Sequence, residues 1–376
     1  MTIAAGLSLA IWLYLVLGHA RFWRADQTDT APIVAPAAWP AVLAVVPARD
    51  EAPVIGRAVA SLLAQDYPGA LTVVLVDDGS RDGTADFARE AAAGDPRLQI
   101  VAGSAPPAGW TGKLWALENG LRQSSKGAPW LWFSDADIAH APDTLRMLVA
   151  RGENEGLALH SSMALLETGG FAERALIPAF VFFFQMLYPF ARVNDPADRM
   201  AAAAGGCMLI RRSALKGAGG LATIASAIID DCAMGVAMKG QGPVRLALTH
   251  RSRSIRPYGG WGAIGAMIAR SAYAQLRYSR ALLVGTLLGL ALVYLVPPAA
   301  ALFGHGLARA FGLGAWGLMT VAFQPMLHFY RRSPLWGVAL PAIALFYSGA
   351  TFASAWAHWR GRGGMWKGRA QAQLGA

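Results

Sequence analysis

The residues best suited to chemistry in this sequence are carboxylates that follow short apolar segments. Asp135 and Asp137 come directly after the apolar run 130–133, with one residue between them. Two carboxylates at this spacing can supply oxygen ligands to Mg²⁺ or Mn²⁺ and leave other positions for a diphosphate and water. A metal ion there would neutralise charge on a departing nucleotide diphosphate. Alone the pattern is weak, because a solvated turn or a helix cap explains it equally well.

Two polar clusters further upstream also end apolar runs. They contribute Asp77 and Asp78 in VDDGS, and Pro47, Asp50 and Glu51 in VPARDE. The functional interpretation is that Asp78 accepts a hydrogen bond from a nucleobase, while Asp50 or Glu51 faces the same base or its ribose. Pro47 would set the turn. The alternative is an ordinary strand-to-helix turn, since Asp, Gly and Ser are turn formers.

A third acidic pair, Asp230 and Asp231, follows the apolar residues 227–229. A buried approach would raise the pKa of such a carboxylate and improve it as a general base. The alternative is a helix N-terminus, where the helix dipole favours acidic residues.

The elements that must position these residues alternate between strand and helix. Strands are predicted within 41–51, 71–80, 98–103 and 130–138, and helices over 52–65, 82–93 and 113–125. This alternation predicts a doubly wound α/β domain. In such sheets ligands bind beyond the carboxyl ends of the strands. Five aspartates fall at such ends: Asp50, Asp77, Asp78, Asp135 and Asp137.

The motifs occur in an order and spacing that resembles the family 2 inverting glycosyltransferases of GT-A fold. The resemblance rests on VPARDE (46–51), VDDGS (76–80), GWTGK (109–113), SDAD (134–137), AAAAGGCMLIRRSAL (201–215), IIDDCAMG (228–235) and QLRYS (275–279). It covers roughly residues 42–280, and the joint match is far more specific than any one motif. The nearest likeness is to the hopene-associated glycosyltransferases, with the ceramide glucosyltransferases as more distant relatives.

The resemblance implies a role for each matching residue. Asp50 or Glu51 and Asp78 would contact the uridine, with Pro47 and Asp77 beside them, and Asp135 and Asp137 would hold the metal and the ribose or diphosphate. Lys113 would lie near the nucleotide, where a cation favours phosphate; otherwise it is an exposed helix lysine. Asp231 would be the general base, with Asp230 as the alternative.

Two positions depart from the family pattern. The acidic pair is Asp-Asp, where Glu-Asp is commoner, so the choice between Asp230 and Asp231 is less certain. QLRYS has one residue between Gln275 and Arg277 where the family's Gln-x-x-Arg-Trp motif has two, and Tyr278 replaces the tryptophan. This favours transfer of one or a few sugars over polymer synthesis. Arg277 would pair with the diphosphate or serve as a juxtamembrane cation.

Composition points to a membrane protein. Of the 376 residues, 55% are hydrophobic and only 15% charged, against about 25% charged in soluble domains. The net charge is +10, and many of the basic residues flank apolar segments, as expected beside anionic lipid headgroups. No nucleic-acid-binding motif is present. Two cysteines, Cys207 and Cys232, exclude a disulfide framework or a CxxC metal site.

Apolar runs divide the chain into six regions. We predict an N-terminal transmembrane anchor (1–24), a linker (25–40), a GT-A catalytic domain (41–255), a juxtamembrane segment (256–280), a C-terminal transmembrane bundle of about three segments (281–357) and a basic tail (358–376). The apolar segment 176–193 predicts an interfacial helix or, alternatively, a buried core helix. The positive-inside rule places the catalytic domain in the cytoplasm, on a multi-pass protein of the inner membrane.

The expected partners are therefore a UDP-linked sugar donor, Mg²⁺ or Mn²⁺, a lipid acceptor related to hopanoids, and the membrane, without nucleic acid. Two rival functions are a processive polysaccharide synthase and a non-catalytic membrane scaffold of a lipid-biosynthesis complex. The predicted topology holds one conflict. If all four apolar segments cross, the tail after Ala357 lies outside with Arg360 and Arg362, against the positive-inside rule, unless one C-terminal segment is re-entrant or interfacial.

Overall fold

The computed structural model describes residues 1–123, 127–362, 365–366 and 369–370. The chain forms two compact units, each built from separated segments. The α/β unit comprises Gln27–Glu167, Arg192–Arg256 and Met365–Ala376, and the helical unit comprises Met1–Asp26, Thr168–Ala191 and Pro257–Gly364. Lys367, which the sequence assigns to the basic tail, lies outside the described residues.

Strands occur in the α/β unit. In chain order they are β1 (Val42–Ala48), β2 (Leu71–Asp77), β3 (Leu98–Ala102), β4 (Trp130–Ser134), β5 (Ile138–His140), β6 (Leu159–Leu165), β7 (Cys207–Arg211), β8 (Val244–Ser254), β9 (Met365–Trp366) and β10 (Arg369–Ala370). Among the described residues, the first eight form one sheet in the order β3-β2-β1-β4-β7-β6-β8-β5, and β9 pairs with β10.

Helices are found in both units. They are α1 (Thr2–Leu17), α2 (Ala52–Leu63), α3 (Thr84–Ala92), α4 (Gly112–Gln123), α5 (Thr144–Asn154), α6 (Phe171–Leu187), α7 (Phe190–Asn194), α8 (Arg212–Gly217), α9 (Asp230–Lys239), α10 (Trp261–Gln275), α11 (Arg280–Leu290), α12 (Val296–Phe303), α13 (Gly306–Phe329) and α14 (Leu340–Trp359). A π-helical turn, Ala291–Leu295, joins α11 to α12.

The first half of the sheet is parallel. Strand β1 pairs in parallel with β2 on one side and β4 on the other, so that Ala48 lies opposite Asp77 and Val45 opposite both Val74 and Phe133. Every residue of β1 is buried, as expected for a central strand covered on both faces. The carboxyl ends of β1, β2 and β4 therefore meet at one edge of the sheet.

The second half of the sheet is mixed. Strand β7 is antiparallel to both β4 and β6, and β8 is parallel to β6 and antiparallel to β5. The predicted α/β fold is confirmed, with the four strands and the first helices where the sequence places them. Alternation of strand and helix along the chain could not reveal the antiparallel pairs, because they join distant segments. Helix α4 is described to Gln123, and Ser125, its predicted end, lies outside the described residues.

The predicted linker is partly ordered onto the sheet. Thr28 forms a parallel bridge with Leu248 of β8. Asp29 is 2% exposed, and its carboxylate accepts a hydrogen bond from the Thr249 hydroxyl and pairs with Arg251 at 3.1 Å. A buried carboxylate is tolerated only when a cation or a hydrogen-bond donor pairs with it. These contacts therefore fix residues 28 and 29 to the sheet, and the predicted linker is not loose over its whole length.

The helical unit contains the membrane candidates. In the part of the chain that the structure describes, three helices are long and apolar enough to cross a bilayer by length and composition: Arg280–Phe303, Gly306–Phe329 and Leu340–Trp359. Helix α1 is apolar but has only 16 residues, fewer than the roughly 20 that span a hydrocarbon core. The segment 176–193 lies in α6 and α7, and most of its α6 residues are buried in the unit.

Helix α4 packs closely on the parallel strands through Gly120. A Cβ atom built on Gly120 would lie 2.4 Å from Cγ1 of Val45 and 3.0 Å from Cγ2 of Val76. Contacts this short force a shift of the helix or the strand. Gly56 of α2 is the matched helical control, because its added Cβ would meet Ala91 at an ordinary 3.6 Å.

We expect Gly120→Ala to lower the free energy of unfolding by about 1–2 kcal/mol, because overpacking outweighs the better helix propensity of alanine. The measurement is denaturant unfolding of the purified protein in detergent, followed by tryptophan fluorescence. Gly56→Ala should be neutral or stabilising. A loss of stability in Gly56→Ala equal to that in Gly120→Ala would contradict this packing.

Candidate active site

The turn after β1 is built by hydrogen bonds to the turn after β2. Asp50 has a left-handed backbone (φ 51°), its N–H donates to the Ser80 hydroxyl at 3.0 Å, and its carboxylate accepts from Arg81 N–H at 2.9 Å. Asp77 accepts from Ser80 N–H at 2.9 Å. Both carboxylates therefore hold turn backbone. Pro47 lies inside β1, so the turn is made by Asp50 and not by Pro47 as predicted, because a fixed proline φ suits the extended strand.

Asp78 is the buried carboxylate of this edge, with 3% of its surface exposed. Its N–H donates to the Ala48 carbonyl at 2.8 Å, which joins the ends of β2 and β1. The Arg49 guanidinium donates to the Asp78 carbonyl and lies 3.7 Å from its carboxylate. A buried carboxylate held beside one cation is suited to accept a directed hydrogen bond from a ligand.

Glu51 and Asp137 are joined by an arginine that the sequence analysis did not select. Arg256 Nε donates to Asp137 Oδ2 at 3.0 Å, and its Nη2 pairs with Glu51 Oε2. Glu51 is 7% exposed and its N–H donates to the Thr84 hydroxyl at 2.8 Å. Arg256 lies two residues after the end of β8 in the α/β unit, one residue beyond the predicted catalytic domain. The basic run RSRSIR at the end of an apolar segment was its only signal in the sequence.

Lys113 lies between the carboxylates of Asp135 and Asp137, the D-x-D motif, and the downstream acidic pair Asp230 and Asp231. Its Nζ lies 2.9 Å from Asp135 Oδ1 and 3.0 Å from Asp230 Oδ2. Burial of the ammonium group lowers its pKa, but attraction to the two carboxylates outweighs this and the pKa of Lys113 is raised above its usual value. The lysine is therefore a permanent cation between two acidic groups 95 residues apart in sequence, and not an exposed helix lysine.

Asp231 lies at the N-terminus of α9 and is partly exposed. Its carboxylate accepts hydrogen bonds from Cys232 N–H at 2.8 Å and Gly205 N–H at 3.1 Å. Burial raises the pKa of Asp231 to about 6, and repulsion from Asp230 adds to this, while Lys113 and the two N–H donors oppose it. A carboxylate with this pKa is ionised at neutral pH and basic enough to accept a proton.

Gly205 was also missed, although it lies in the matching segment AAAAGGC. A Cβ atom on Gly205 would lie 3.2 Å from Lys113 Nζ and 3.6 Å from Asp231 Oδ2. Glycine here lets the backbone donate to Asp231 while leaving room for the lysine.

A buried histidine holds the end of the strand that leads into Asp135 and Asp137. The His140 ring lies between the hydroxyls of Ser134, at 2.8 Å, and Ser252, at 2.9 Å. Burial lowers the pKa of His140 to about 3, so the ring is neutral. The contact ties the end of β4 to β5 and β8 immediately before Asp135.

Residues 43–218 match the sequence profile of the family described as "Glycosyl transferase family 2". These residues are therefore similar to a family 2 glycosyltransferase domain. This domain covers β1 through α8, and with them the turns that carry Asp50, Asp78, Lys113 and the D-x-D pair.

Two known proteins are similar to this chain. An N-acetylglucosaminyltransferase of Mesorhizobium japonicum is 32% identical over 185 residues, a stretch that covers 47% of this chain and 41% of that protein's length. The structure of a mannosyltransferase from Pyrobaculum calidifontis, solved with GDP-Man and Mn²⁺, has a TM-score of 0.56 and 20% identity, covering 94% of this chain and 99% of that one. The second likeness shows the fold alone, which is of GT-A type.

The oxygen ligands in this part of the chain would fit a divalent metal through Asp135 and Asp137. Within residues 1–123 and 127–362, no three His, Cys, Asp or Glu side chains are gathered as a metal site. Asp135 and Asp137 offer hard oxygen ligands with 33% and 26% of their side chains exposed, each beside a cation. Mg²⁺ commonly binds through one or two carboxylates plus substrate phosphates, so these two residues suffice when a diphosphate is bound.

Gln275 and Arg277 belong to the helical unit. The Gln275 amide donates to the Tyr188 hydroxyl at 2.5 Å. Arg277 is exposed and, like Tyr278, has a left-handed backbone, with φ values of 51° and 56°. The substrate-binding role of both residues stays a prediction.

The raised pKa of Asp231 predicts how stability depends on pH. The unfolded chain ionises this carboxyl near pH 3.8 and the folded protein near pH 6, so the native state binds the extra proton between these values. We expect the free energy of unfolding of the wild type, relative to that of Asp231→Asn, to fall as the pH rises from 4 to 6.5. Urea unfolding across this range measures it. A difference in unfolding free energy between the two proteins that stays constant over this pH range would show that the pKa of Asp231 is not raised.

Proposed function

We propose that this protein is an inverting glycosyltransferase that moves a sugar from a nucleotide diphosphate donor, UDP-linked, to a lipid acceptor in the membrane. The observation that carries the proposal is the position of Lys113 Nζ, within 3.0 Å of both Asp135 and Asp230. It brings the carboxylates suited to the diphosphate end of a donor next to the carboxylates suited to take a proton. A single displacement needs these two groups on either side of one anomeric carbon.

Donor binding is assigned to the edge formed by β1, β2 and β4. Asp78 would accept a hydrogen bond from the uracil N–H, since it is buried and already oriented by its own backbone and Arg49. Asp135 and Asp137 would hold Mg²⁺ or Mn²⁺, which when bound supplies positive charge against the diphosphate leaving group. Lys113 adds a fixed cation on the same side.

Asp231 is proposed as the general base. It would take the proton of the acceptor hydroxyl while the hydroxyl oxygen bonds to the anomeric carbon and the bond to the diphosphate oxygen breaks. Attack from the face opposite the leaving group inverts the configuration. Asp231 suits this role better than Asp230, because Asp230 forms an ion pair with Lys113, while Asp231 accepts hydrogen bonds from the backbone N–H groups of Gly205 and Cys232 and has a pKa of about 6.

The lipid acceptor is supported by the helical unit. It carries three helices suited to cross a membrane, and basic residues flank them. We place the protein in the inner membrane as a multi-pass protein with its catalytic domain in the cytoplasm, from the basic flank Arg21 and Arg24 after the first apolar helix. The hopanoid-type acceptor implied by the family resemblance stays a prediction.

The test is donor turnover in purified membranes with Mn²⁺ and total membrane lipid, using UDP-glucose, UDP-N-acetylglucosamine and GDP-mannose separately. We expect one donor to release nucleotide diphosphate with formation of a new glycolipid. Asp231→Asn should lower the rate by 10²–10⁴-fold, because proton transfer to a positioned base contributes about this much. Asp137→Ala should lower the rate and weaken the dependence on Mn²⁺.

Asp195→Asn is the matched control, since Asp195 is an exposed loop aspartate of the same unit. It should keep wild-type turnover. Activity in Asp231→Asn equal to wild type would remove Asp231 as the base. Absence of turnover with every donor and lipid extract would favour the non-catalytic scaffold.

A further inference from the structure

The direction of each helix in the helical unit follows from contacts along its length. A Cβ on Gly6 would lie 3.4 Å from the Phe311 ring, and one on Gly314 would lie 3.3 Å from Leu9, so α1 and α13 run parallel. Trp12 Nε1 donates to the Val293 carbonyl at 2.8 Å.

The chain from α11 through α12 runs the opposite way. A Cβ on Gly304 would lie 3.2 Å from the Met1 side chain, while Val293 lies beside Trp12, so residue numbers fall along this helix as they rise along α1. The unit therefore has two ends. Met1, Phe303 and Gly306 define the first end, and the second end holds the exit from α1, the start of α11 at Arg280 and the exit from α13.

After α13 the chain turns back along the same helix. Three carbonyls between residues 334 and 338 accept hydrogen bonds from α13 side chains: Pro334 from Gln324 at 3.2 Å, Gly337 from Thr320 at 3.3 Å and Val338 from Trp316 at 3.1 Å. As the chain advances from Pro334 to Val338, its partner on α13 moves back from residue 324 to residue 316. These eight residues correspond to about 12 Å along α13, at 1.5 Å per residue. The segment 334–337 is a single 3-10 turn. Backbone outside a regular α-helix needs such partners for its polar groups when it lies at membrane depth.

Helix α14 therefore begins part-way along α13 and not at either end. Its Tyr347 packs on Phe183 at 4.8 Å between ring centroids, and Phe183 packs on Tyr294 at 5.6 Å. Tyr294 in turn contacts Trp12 at 5.5 Å. Tyr347 thus lies near the level of Trp12, in the second half of α1.

The other end of α14 returns to the start of α11. The Arg280 guanidinium lies 5.5 Å from the Trp359 ring centre, and Trp359 Nε1 donates to the Tyr273 hydroxyl at 3.3 Å. From Tyr347 to Trp359 the helix runs antiparallel to the segment from Arg280 to Tyr294. Three full crossings would place the start of α11 and the end of α14 on opposite faces, which these contacts do not allow.

The returning helix completes a cluster of arginines and indoles, the arginine–indole rim, formed by Arg280, Trp356, Trp359 and Arg360. The Arg360 guanidinium lies 4.4 Å from the Trp356 ring, and the two indole rings lie 6.4 Å apart. Both arginines are exposed. Tryptophan at a membrane–water interface with adjacent arginine matches the chemistry of lipid headgroups.

Charge is distributed very unevenly between the two ends. The second end also carries Arg21, Arg24, Arg331 and Arg332, which follow α1 and α13, whereas the turn between α12 and α13 at the first end is followed by one arginine, Arg309. A returning α14 adds Arg360 and Arg362 to the basic end. This removes the conflict with the positive-inside rule that three full C-terminal crossings create.

We propose that Leu340–Trp359 is a re-entrant helix that enters and leaves the membrane at one face, and that the arginine–indole rim it completes there binds the phosphates of anionic phospholipids. The exposed arginines supply the positive charge, and the indoles hold their guanidinium groups at headgroup depth. The partner is the anionic leaflet itself, because the rim lies where the chain's other basic flanks lie.

Topology is tested by labelling introduced cysteines with a membrane-impermeant maleimide in sealed vesicles of both orientations. The native Cys207 and Cys232 are buried, and the wild-type protein serves as the blank. We expect Arg362→Cys to label from the same side as Arg24→Cys, and His305→Cys from the other side. Labelling of Arg362→Cys together with His305→Cys would overturn the re-entrant helix.

Lipid binding is tested with the full-length protein in phosphatidylcholine vesicles containing spin-labelled phosphatidylglycerol or phosphatidylcholine. The fraction of motionally restricted label gives the preference for the anionic lipid. We expect Arg280→Gln/Arg360→Gln to lower this preference by fivefold or more at low salt, since each arginine near the surface is worth about a factor of five. Arg280→Lys/Arg360→Lys, which keeps the charge, should retain most of it.

Arg309→Gln is the control, because it removes one positive charge at the other end of the unit. An equal loss of preference in Arg309→Gln, or no loss in the double glutamine variant, would overturn the rim as a binding surface. Neither measurement uses sugar transfer, so each outcome is independent of the proposed enzymatic activity.

Discussion

A single buried cation organises the candidate active site. Lys113 is placed by the start of α4 between a carboxylate that follows a parallel strand and one that begins α9. Without it, Asp135, Asp230 and Asp231 would bring three negative charges together in a partly buried space, which repulsion and desolvation make costly. The same lysine lowers the pKa of Asp231, against burial and Asp230 that raise it. The carboxylate thereby stays within the range useful to a general base.

Around this cation the sheet supplies rigidity. The central strand β1 is buried over its whole length, and its two parallel neighbours end at the same edge. The antiparallel strands then bring Arg256 to Asp137 and Glu51. Two cations thus face the two carboxylates of the D-x-D motif, and a donor diphosphate with its metal would enter a site in which each of these two carboxylates already has a cationic partner. This arrangement holds reactive groups in place before any ligand is present.

In the helical unit the main constraint is that backbone polar groups inside a membrane need hydrogen-bond partners within the protein. Helix α13 satisfies the carbonyls of the turn before α14 with side chains of Trp316, Thr320 and Gln324. Polar side chains in an apolar helix would otherwise be unfavourable. Here they permit a break in helical structure, which allows the last helix to return to the basic end.

The sequence by itself determined the α/β fold, the strand ends that carry the carboxylates and the family, because apolar periodicity and motif spacing are local along the chain. It also indicated Asp231 over Asp230. It could not reveal Arg256, Gly205 or His140, whose roles depend on antiparallel pairing between strands about 70 to 120 residues apart. It identified three apolar segments but not the direction of the last. Length and hydropathy are the same for a crossing helix and a returning one, and only contacts between helices distinguish them.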